Sequence, residues 1–223
     1  MITQVKKWVT EHPIWFAILF FIFYFTGFFT LEHLVTEPVY LLHCGLDDLI
    51  PFNEWFIFPY ASWFGLIPWA LITLLLFDRK NYFYLCGVMF SGMALCLLLY
   101  LIFPNGVDLR PQSIESSNLA ATFVRMIWMT DTSTNVCPSI HVASTFAIFL
   151  AVQRSRIWKH RKLVVGICGV LTVMICLSTL FLKQHSVIDV VCGIALSTAL
   201  HFVFRRTGER EQAVLCRLGE NEG

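Results

Sequence analysis

The stretch "LVVGICGVLTVMICLSTLFLKQHSVIDVVCGIALSTALHFVF", residues 163–204, decides how this chain folds. Two apolar runs, each near the roughly 20 residues that a helix needs to cross a bilayer core, flank a short polar knot that begins at Lys183. The only formal charges in the whole stretch are Lys183 and Asp189, with His185 between them. Ionisable groups at membrane depth are costly and by default mark function. The knot therefore raises two questions: whether the chain crosses a membrane, and what Lys183, His185 and Asp189 do at one helix entrance.

Composition answers the first. The 223 residues are 57% hydrophobic and 14% charged, with twenty-one Phe, against about 25% charged in a soluble domain. Net charge is +1, which gives no reason to expect nucleic acid as a partner. Eight Cys occur without a C-x-x-C pair and mostly inside apolar runs, where thiols behave as small hydrophobes. A zinc or redox framework is not expected; a Cys44–Cys137 disulfide is conceivable.

Six segments read as spans: Pro13–Leu31, Ala61–Phe77, Tyr82–Phe103, Ser139–Gln153 (the shortest), Leu163–Leu182 and Ser186–Phe204. The first run follows Lys6 and Lys7 but ends in Phe28-Phe29-Thr30-Leu31 without a small-residue cleavage site, so it reads as a retained anchor. Thirteen of the sixteen basic residues fall in alternate connections: Lys6 and Lys7, Arg79 and Lys80, Arg154 to Lys162, and Arg205 to Arg217. Basic residues accumulate in cytoplasmic loops. The expectation is an all-α polytopic membrane protein, with six transmembrane helices, both termini cytoplasmic, and placement in the cell membrane.

The remaining basic residues, Arg110, Arg125 and Lys183, fall on the opposite face. That face also holds two long loops. In the second, Ser117 or Asn118 can cap a helix, and Leu119, Phe123, Met126 and Ile127 follow at helical spacing. This predicts an additional interfacial helix. Trp55, Phe56, Phe58, Tyr60 and Trp63 read as an interfacial aromatic belt, and Arg125 as interfacial. No repeat, linker or low-complexity segment divides the chain, so residues 1–223 form one domain with a motif core at 104–193.

Three motif pieces share the outer face: "GVDLRP" with Arg110, "CPSIHVAS" with Ser139 and His141 at a helix start, and "KQHSVIDVVCG". On a helix, His185 and Asp189 are four residues apart and share a face. Asp189 can then fix the imidazole tautomer and leave the other ring nitrogen free as nucleophile or base. Two histidines beside Arg110 and Lys183 suit chemistry at a phosphate ester, since guanidinium and ammonium groups bind phosphate oxygens. Free N–H groups at the Ser139 helix start add an anion site.

These pieces resemble the type 2 phosphatidic acid phosphatase and vanadium haloperoxidase superfamily, with its blocks K-x6-R-P, P-S-G-H and S-R-x5-H-x3-D. Pro138-Ser139-Ile140-His141 matches the second block. Ser178, Thr179, His185 and Asp189, followed by Gly193, match the third without a gap, and Arg110-Pro111 retains the first. The resemblance implies His185 as nucleophile, Asp189 as its orienting partner and His141 as general acid. It places phosphate on Arg110, Ser139 and the Ser139–His141 backbone, Ile140 included, and implies no metal and no cofactor. Three positions depart from the pattern: Phe103 stands in the place of the first-block Lys, Thr179 in that of the third-block Arg, and Ile140 in that of the Gly. Lys183 is the nearest substitute cation. The "CPSxH" and "KQHxxxD" forms look more like the inositol-phosphorylceramide and sphingomyelin synthase-like branch.

The expected function is a membrane-embedded lipid phosphatase with its site on the non-cytoplasmic face. It would act on phosphatidate or polyprenyl pyrophosphate type substrates through a phosphohistidine. A phosphotransferase moving a phospho-headgroup to a hydroxyl acceptor is the alternative. The expected partners are the lipid phosphate or phospholipid substrate and the bilayer; the sequence leaves the oligomeric state open. A transporter or non-catalytic membrane protein would spread polar groups along several spans, whereas spans one to three are nearly free of charge. A metal hydrolase using His141, His185 and Asp189 lacks a carboxylate-rich signature. His33, His43 and His201 read as packing hydrogen bonders, and His12 and His160 as solvated.

Overall fold

Several helices begin where the sequence supplies a partner for, or spares, a free N–H group. The structure, a computed structural model, describes residues 2–220, and side chains for residues 4–205. Short α1 (Ile2–Glu11) precedes α2 (Pro13–Leu34), which has Pro at its first position, where the missing N–H costs nothing. Helix α3 (Gly45–Leu49) is one turn. Helix α4 (Ile57–Phe77) follows a 3₁₀ turn at Glu54–Phe56 capped by Asn53. Asp78 caps α5 (Arg79–Ile102), Asn118 caps α6 (Leu119–Thr130) and Ser139 caps α7 (Ile140–Arg154), each side chain accepting the backbone N–H three residues on. Helices α8 (Arg161–Phe181) and α9 (Val187–Glu220) complete the chain. Two-residue strands β1 (Tyr40–Leu41) and β2 (Asn105–Gly106) pair in parallel and tie the two long outer loops together.

Among the described residues, five helical segments are long and apolar enough to cross a membrane: Pro13–Leu34, Glu54–Phe77, Arg79–Ile102, Arg161–Phe181 and Val187–Arg205. The protein is an all-α polytopic membrane protein. The fourth expected span, α7, has 15 residues and is an apolar helix below that length. Its position explains the shortness, because α7 packs against α4, α5, α8 and α9 and has little lipid to match. Both of its ends are nonetheless tied to the ends of α5. Tyr100 donates to the Pro138 carbonyl at 2.6 Å, while Ser155 Oγ donates to Asp78 Oδ2 at 2.6 Å at the other end. The non-helical residues 132–139 before α7 are tolerated at this depth because protein, not lipid, surrounds them.

The outside of the bundle is apolar. Ile14, Trp15, Leu19, Ile22 and Phe23 of α2 and Leu163, Ile167, Val170 and Val173 of α8 are exposed. In water such a surface would be a large exposed patch; in hydrocarbon it meets like surface. Inside, Phe20 stacks on Phe90 at 3.9 Å to join α2 to α5. Gly193 sets the approach of α9 to α7, since a Cβ there would lie 2.9 Å from the Ser139 carbonyl oxygen. The side chains of Arg206, Arg210, Cys216 and Arg217 lie outside the described residues.

Several expectations are refined. Helix α6 buries Ala120, Ala121 and Val124 and leaves Leu119, Phe123 and Met126 exposed, so three residues of the stripe read from the sequence face away from the protein, as an interfacial helix requires, while the fourth, Ile127, packs inward beside Tyr60 and Val124. Cys44 and Cys137 are both free thiols. Trp55 and Phe58 are exposed as a belt demands, but Tyr60 and Trp63 are buried. Their polar tips find Asp131 and Ser144 inside the bundle, which fits the rule that a buried Tyr or Trp keeps a hydrogen-bond partner. Arg125 donates to the Ile114 and Ser116 carbonyls and so braces the loop ahead of α6. His201 meets the Tyr84 hydroxyl between α5 and α9, as a packing residue would.

Candidate active site

The C-terminal ends of α2, α5 and α8 and the N-terminal ends of α4, α7 and α9 meet at one end of the bundle, and the three motif pieces meet there with them. The turn between α8 and α9 is built by backbone. The Thr179 carbonyl accepts from both Gln184 and His185 N–H groups, and Lys183 takes a left-handed φ of 57°. This reversal sets His185 just ahead of α9 rather than inside it. His185 and Asp189 still meet, by a different device from a shared helical face. Asp189 Oδ2 accepts the Ser186 N–H at 2.8 Å, closing the first turn in the manner of a capping box. The same oxygen lies 3.3 Å from His185 Nδ1. Asp189 is fully buried and its Oδ1 has no partner, so this anion serves the turn and the imidazole together. Its backbone carbonyl accepts from the Ser139 N–H at 3.1 Å and thereby locks the two motif helices.

A residue far away in sequence holds this turn. Asp47 of α3 is buried, and its carboxylate accepts from Val187 N at 2.8 Å, Ser186 Oγ at 2.7 Å and Cys44 N at 2.8 Å. Its backbone carbonyl takes the Lys183 ammonium at 2.8 Å. Burial alone would raise the Asp47 carboxyl, but the bonds from Val187, Ser186 and Cys44 outweigh it and hold it below its ordinary range. The stabilisation is therefore full above about pH 4 and fades as pH falls through the lower folded value. Asp47→Ala is expected to lower stability by about 2 kcal/mol, since it strands buried donors. Thermal unfolding in detergent as a function of pH checks this: the acid-side loss of stability should be smaller in Asp47→Asn than in the unaltered protein. Equal acid sensitivity of the two would refute the assignment.

His141 stands opposite His185, with ring centroids 6.0 Å apart. Its ring lies between Tyr60 at 4.6 Å and Trp63 at 4.5 Å, both from α4. Trp63 is fixed in turn by Nε1–H donating to Ser144 Oγ at 2.8 Å. The histidines share a cavity of about 320 Å³ that is walled toward the lipid by Tyr24, Phe25, Phe28 and Phe29 of α2 and by Phe64 of α4. A second cleft of about 690 Å³ lies between α2 and α4, lined mainly by apolar residues from Ile14 to Phe25 and from Pro68 to Leu76; Phe25 borders both.

The polar wall of the cavity is Asp131 with Gln184. Asp131 Oδ2 accepts the Tyr60 hydroxyl at 2.7 Å and Gln184 Nε2 at 3.1 Å. Burial raises the Asp131 carboxyl, opposed by the Tyr60 bond and by the charges of His185 and Arg110. Arg110 approaches this wall from behind. Its guanidinium donates to the Asp131 carbonyl at 2.7 Å and to Gln184 Oε1, and lies over the Trp128 ring at 5.2 Å. Arg110 Nε is buried without a partner.

Of the residues singled out in the sequence, His141, His185 and Ile140 line the cavity. Asp189 backs His185, and Ser139 is buried as the cap of α7. Arg110 touches two lining residues without lining the cavity itself. Lys183 is directed to Asp47. Thr179 is buried, its hydroxyl donating to the Cys176 carbonyl, and Phe103 stacks on Tyr40 at 3.9 Å beside the strand pair. Burial pushes the Cys137 thiol up, so it is a packing residue beside the site. The residues missed are Asp131, Gln184, Tyr60, Trp63 and Asp47. Only Ser186-x-x-Asp189 carried a readable local signal, the capping-box spacing.

A family model described as the PAP2 superfamily matches residues 81–212, more than half of the chain, from the start of α5 into α9. The match covers all three motif pieces. No curated protein matches the chain.

Proposed function

The chain belongs to the PAP2 superfamily, and we propose that it is a membrane enzyme that cleaves phosphoryl esters of amphiphilic substrates through a phosphohistidine at His185. The observation that carries this reading is the facing histidine pair: one ring is backed by Asp189, the other lies between α4 aromatics, and both line a cavity that shares Phe25 with an apolar cleft. The superfamily comprises phosphoesterases and phosphotransferases, and this site suits either.

With Nδ1 turned to Asp189, Nε2 of His185 holds the lone pair that attacks phosphorus. The N–P bond forms as the bond from phosphorus to the lipid oxygen breaks, and His141 gives that oxygen a proton. The lipid alcohol leaves on the His141 side, next to Tyr60, Trp63 and the apolar cleft. An acceptor hydroxyl then passes its proton to His141 and forms the new O–P bond as the N–P bond breaks. Phosphate oxygens are held by the backbone N–H groups of Ile140 and His141, which open α7, and steadied by Arg110 through Gln184. The tail lies between α2 and α4. Ten residues of α2 between Ile14 and Phe29 border the two cavities, over about 22 Å of helix, most of the roughly 30 Å hydrocarbon thickness.

Water as acceptor gives a lipid phosphatase; a hydroxyl acceptor gives a phosphotransferase. The site faces away from the cytoplasm, by the placement of thirteen basic residues at the opposite end. The test is to incubate purified full-length protein with phosphatidate or polyprenyl pyrophosphate carrying ³²P, with chelator present, and to quench rapidly. Label should appear on the protein in an alkali-stable, acid-labile form, and be absent from His185→Ala. Label that survives acid, or activity lost to the chelator, would sink the mechanism.

A further inference from the structure

We infer that this site selects monoanionic phosphodiesters over dianionic phosphate monoesters, with Asp131 receiving a hydrogen-bond donor from the headgroup. The inference rests on the reading just given and adds the substrate's charge state. Among the described lining residues there is no Lys or Arg, and there is one carboxylate, Asp131. The other titratable lining groups are His141, His185, Tyr24, Tyr60 and Tyr100.

The three basic residues of this face are each engaged by protein acceptors. Lys183 donates to the Asp47 carbonyl, and Arg125 to the Ile114 and Ser116 carbonyls. Arg110 spends Nη2 on Asp131 and Gln184, which leaves Nε unpartnered. Two further buried carboxylates stand close behind the wall: Asp189, and Glu32, which accepts from Thr132 and Asn135. Carboxylates thus outnumber guanidinium groups around the cavity. The positions where the family pattern carries two more cations hold Phe103 and Thr179, and neither lines the cavity.

A phosphate monoester near neutral pH brings up to two negative charges beside Asp131, whereas a diester brings one. Like charges in a partly desolvated site repel strongly. The Asp131 carboxyl has its Oδ2 bonded to Tyr60 and Gln184 and, among the described residues, takes no donor on Oδ1. A headgroup hydroxyl or ammonium would supply the missing donor. On this geometry the phospho-headgroup stays on His185 beside Gln184 and Asp131, and the lipid alcohol leaves past His141. The N–P bond replaces the P–O bond to the lipid alcohol, and His141 supplies the proton. Both ester classes thus release the same lipid alcohol and can be compared by one readout.

The experiment measures diacylglycerol release by purified full-length protein in detergent. Four lipids with identical acyl chains are supplied: phosphatidate, phosphatidylmethanol, phosphatidylglycerol and phosphatidylethanolamine. Phosphatidylglycerol or phosphatidylethanolamine is expected to be cleaved about tenfold faster than phosphatidate, and whichever is faster identifies hydroxyl or ammonium as the donor. Phosphatidylmethanol, a diester without a donor, should fall between. Asp131→Asn should shift the diester-to-phosphatidate ratio about tenfold toward phosphatidate. Faster cleavage of phosphatidate than of every diester would overturn the inference while leaving the His185 reading intact, provided His185→Ala is inactive. An unchanged ratio in Asp131→Asn would overturn the role of Asp131; if that variant fails to fold, the ratios of the unaltered protein decide alone. Turnover that is equal in His185→Ala, or absent with all four lipids, would fell the parent reading and this one with it.

Discussion

His185→Ala is expected to lower kcat/KM for lipid phosphate cleavage by about 10⁴-fold or more while leaving the fold in place. The loss is large because the nucleophile is the one group whose role nothing nearby can assume. His141 faces the cavity from between aromatic rings, and Lys183 is directed to the Asp47 carbonyl. The fold should survive because the turn is held by backbone: His185 N–H bonds the Thr179 carbonyl at 3.2 Å, and an alanine keeps that bond. Asp189 keeps its bond from Ser186 N–H as well. Substrate affinity should change little, since the tail lies between α2 and α4, away from the ring. The measurement is phosphate release together with trapped phosphoenzyme. Residual turnover above a tenth of the unaltered rate would show that phosphorus is attacked by something else.

How much of this was legible depended on whether the signal was local. Spans were readable because a bilayer demands long apolar runs, and the boundaries of α2, α5 and α8 differ from the expected ones by only a few residues. Helix α7 was the exception. A helix enclosed by four others answers to its neighbours instead of to lipid thickness, and its sequence cannot say so. The three motif pieces were readable because their spacing within each piece is short. What joins them was not. Asp47 reaches the α9 entrance across 139 residues to Ser186, and Tyr60 meets Asp131 across 71. Neither pair leaves a periodic trace. Lys183 was chosen as a substitute cation from proximity alone; the positive φ at that residue turns its side chain toward α3, a backbone fact no spacing reveals. Tyr60 and Trp63 looked like ordinary belt residues because a belt and a buried aromatic wall have the same composition.

His141→Gln carries the next largest expectation, and it separates the two roles assigned to this ring. With a lipid alcohol as leaving group, loss of the proton donor should lower kcat/KM by about 10²–10³-fold, because an alkoxide leaves poorly without a proton. With a p-nitrophenyl phosphoester the departing oxygen needs none, so formation of the phosphohistidine should fall by only about tenfold. Breakdown of that intermediate still requires a base to deprotonate the acceptor, and the base is gone. The variant should therefore release a burst of p-nitrophenol equal to the enzyme present and then turn over slowly, with phosphoenzyme accumulating. His185→Ala should give no burst. The glutamine preserves a planar polar group between Tyr60 and Trp63, so the α4–α7 packing that shapes the cavity is retained. An equal fall for both leaving groups, with no burst, would mean that His141 shapes the cavity or holds phosphate and moves no proton to the leaving oxygen. A burst with the aryl ester and none with the lipid fixes the order of events: His185 acts first at phosphorus, and His141 governs both the departure of one oxygen and the arrival of the next.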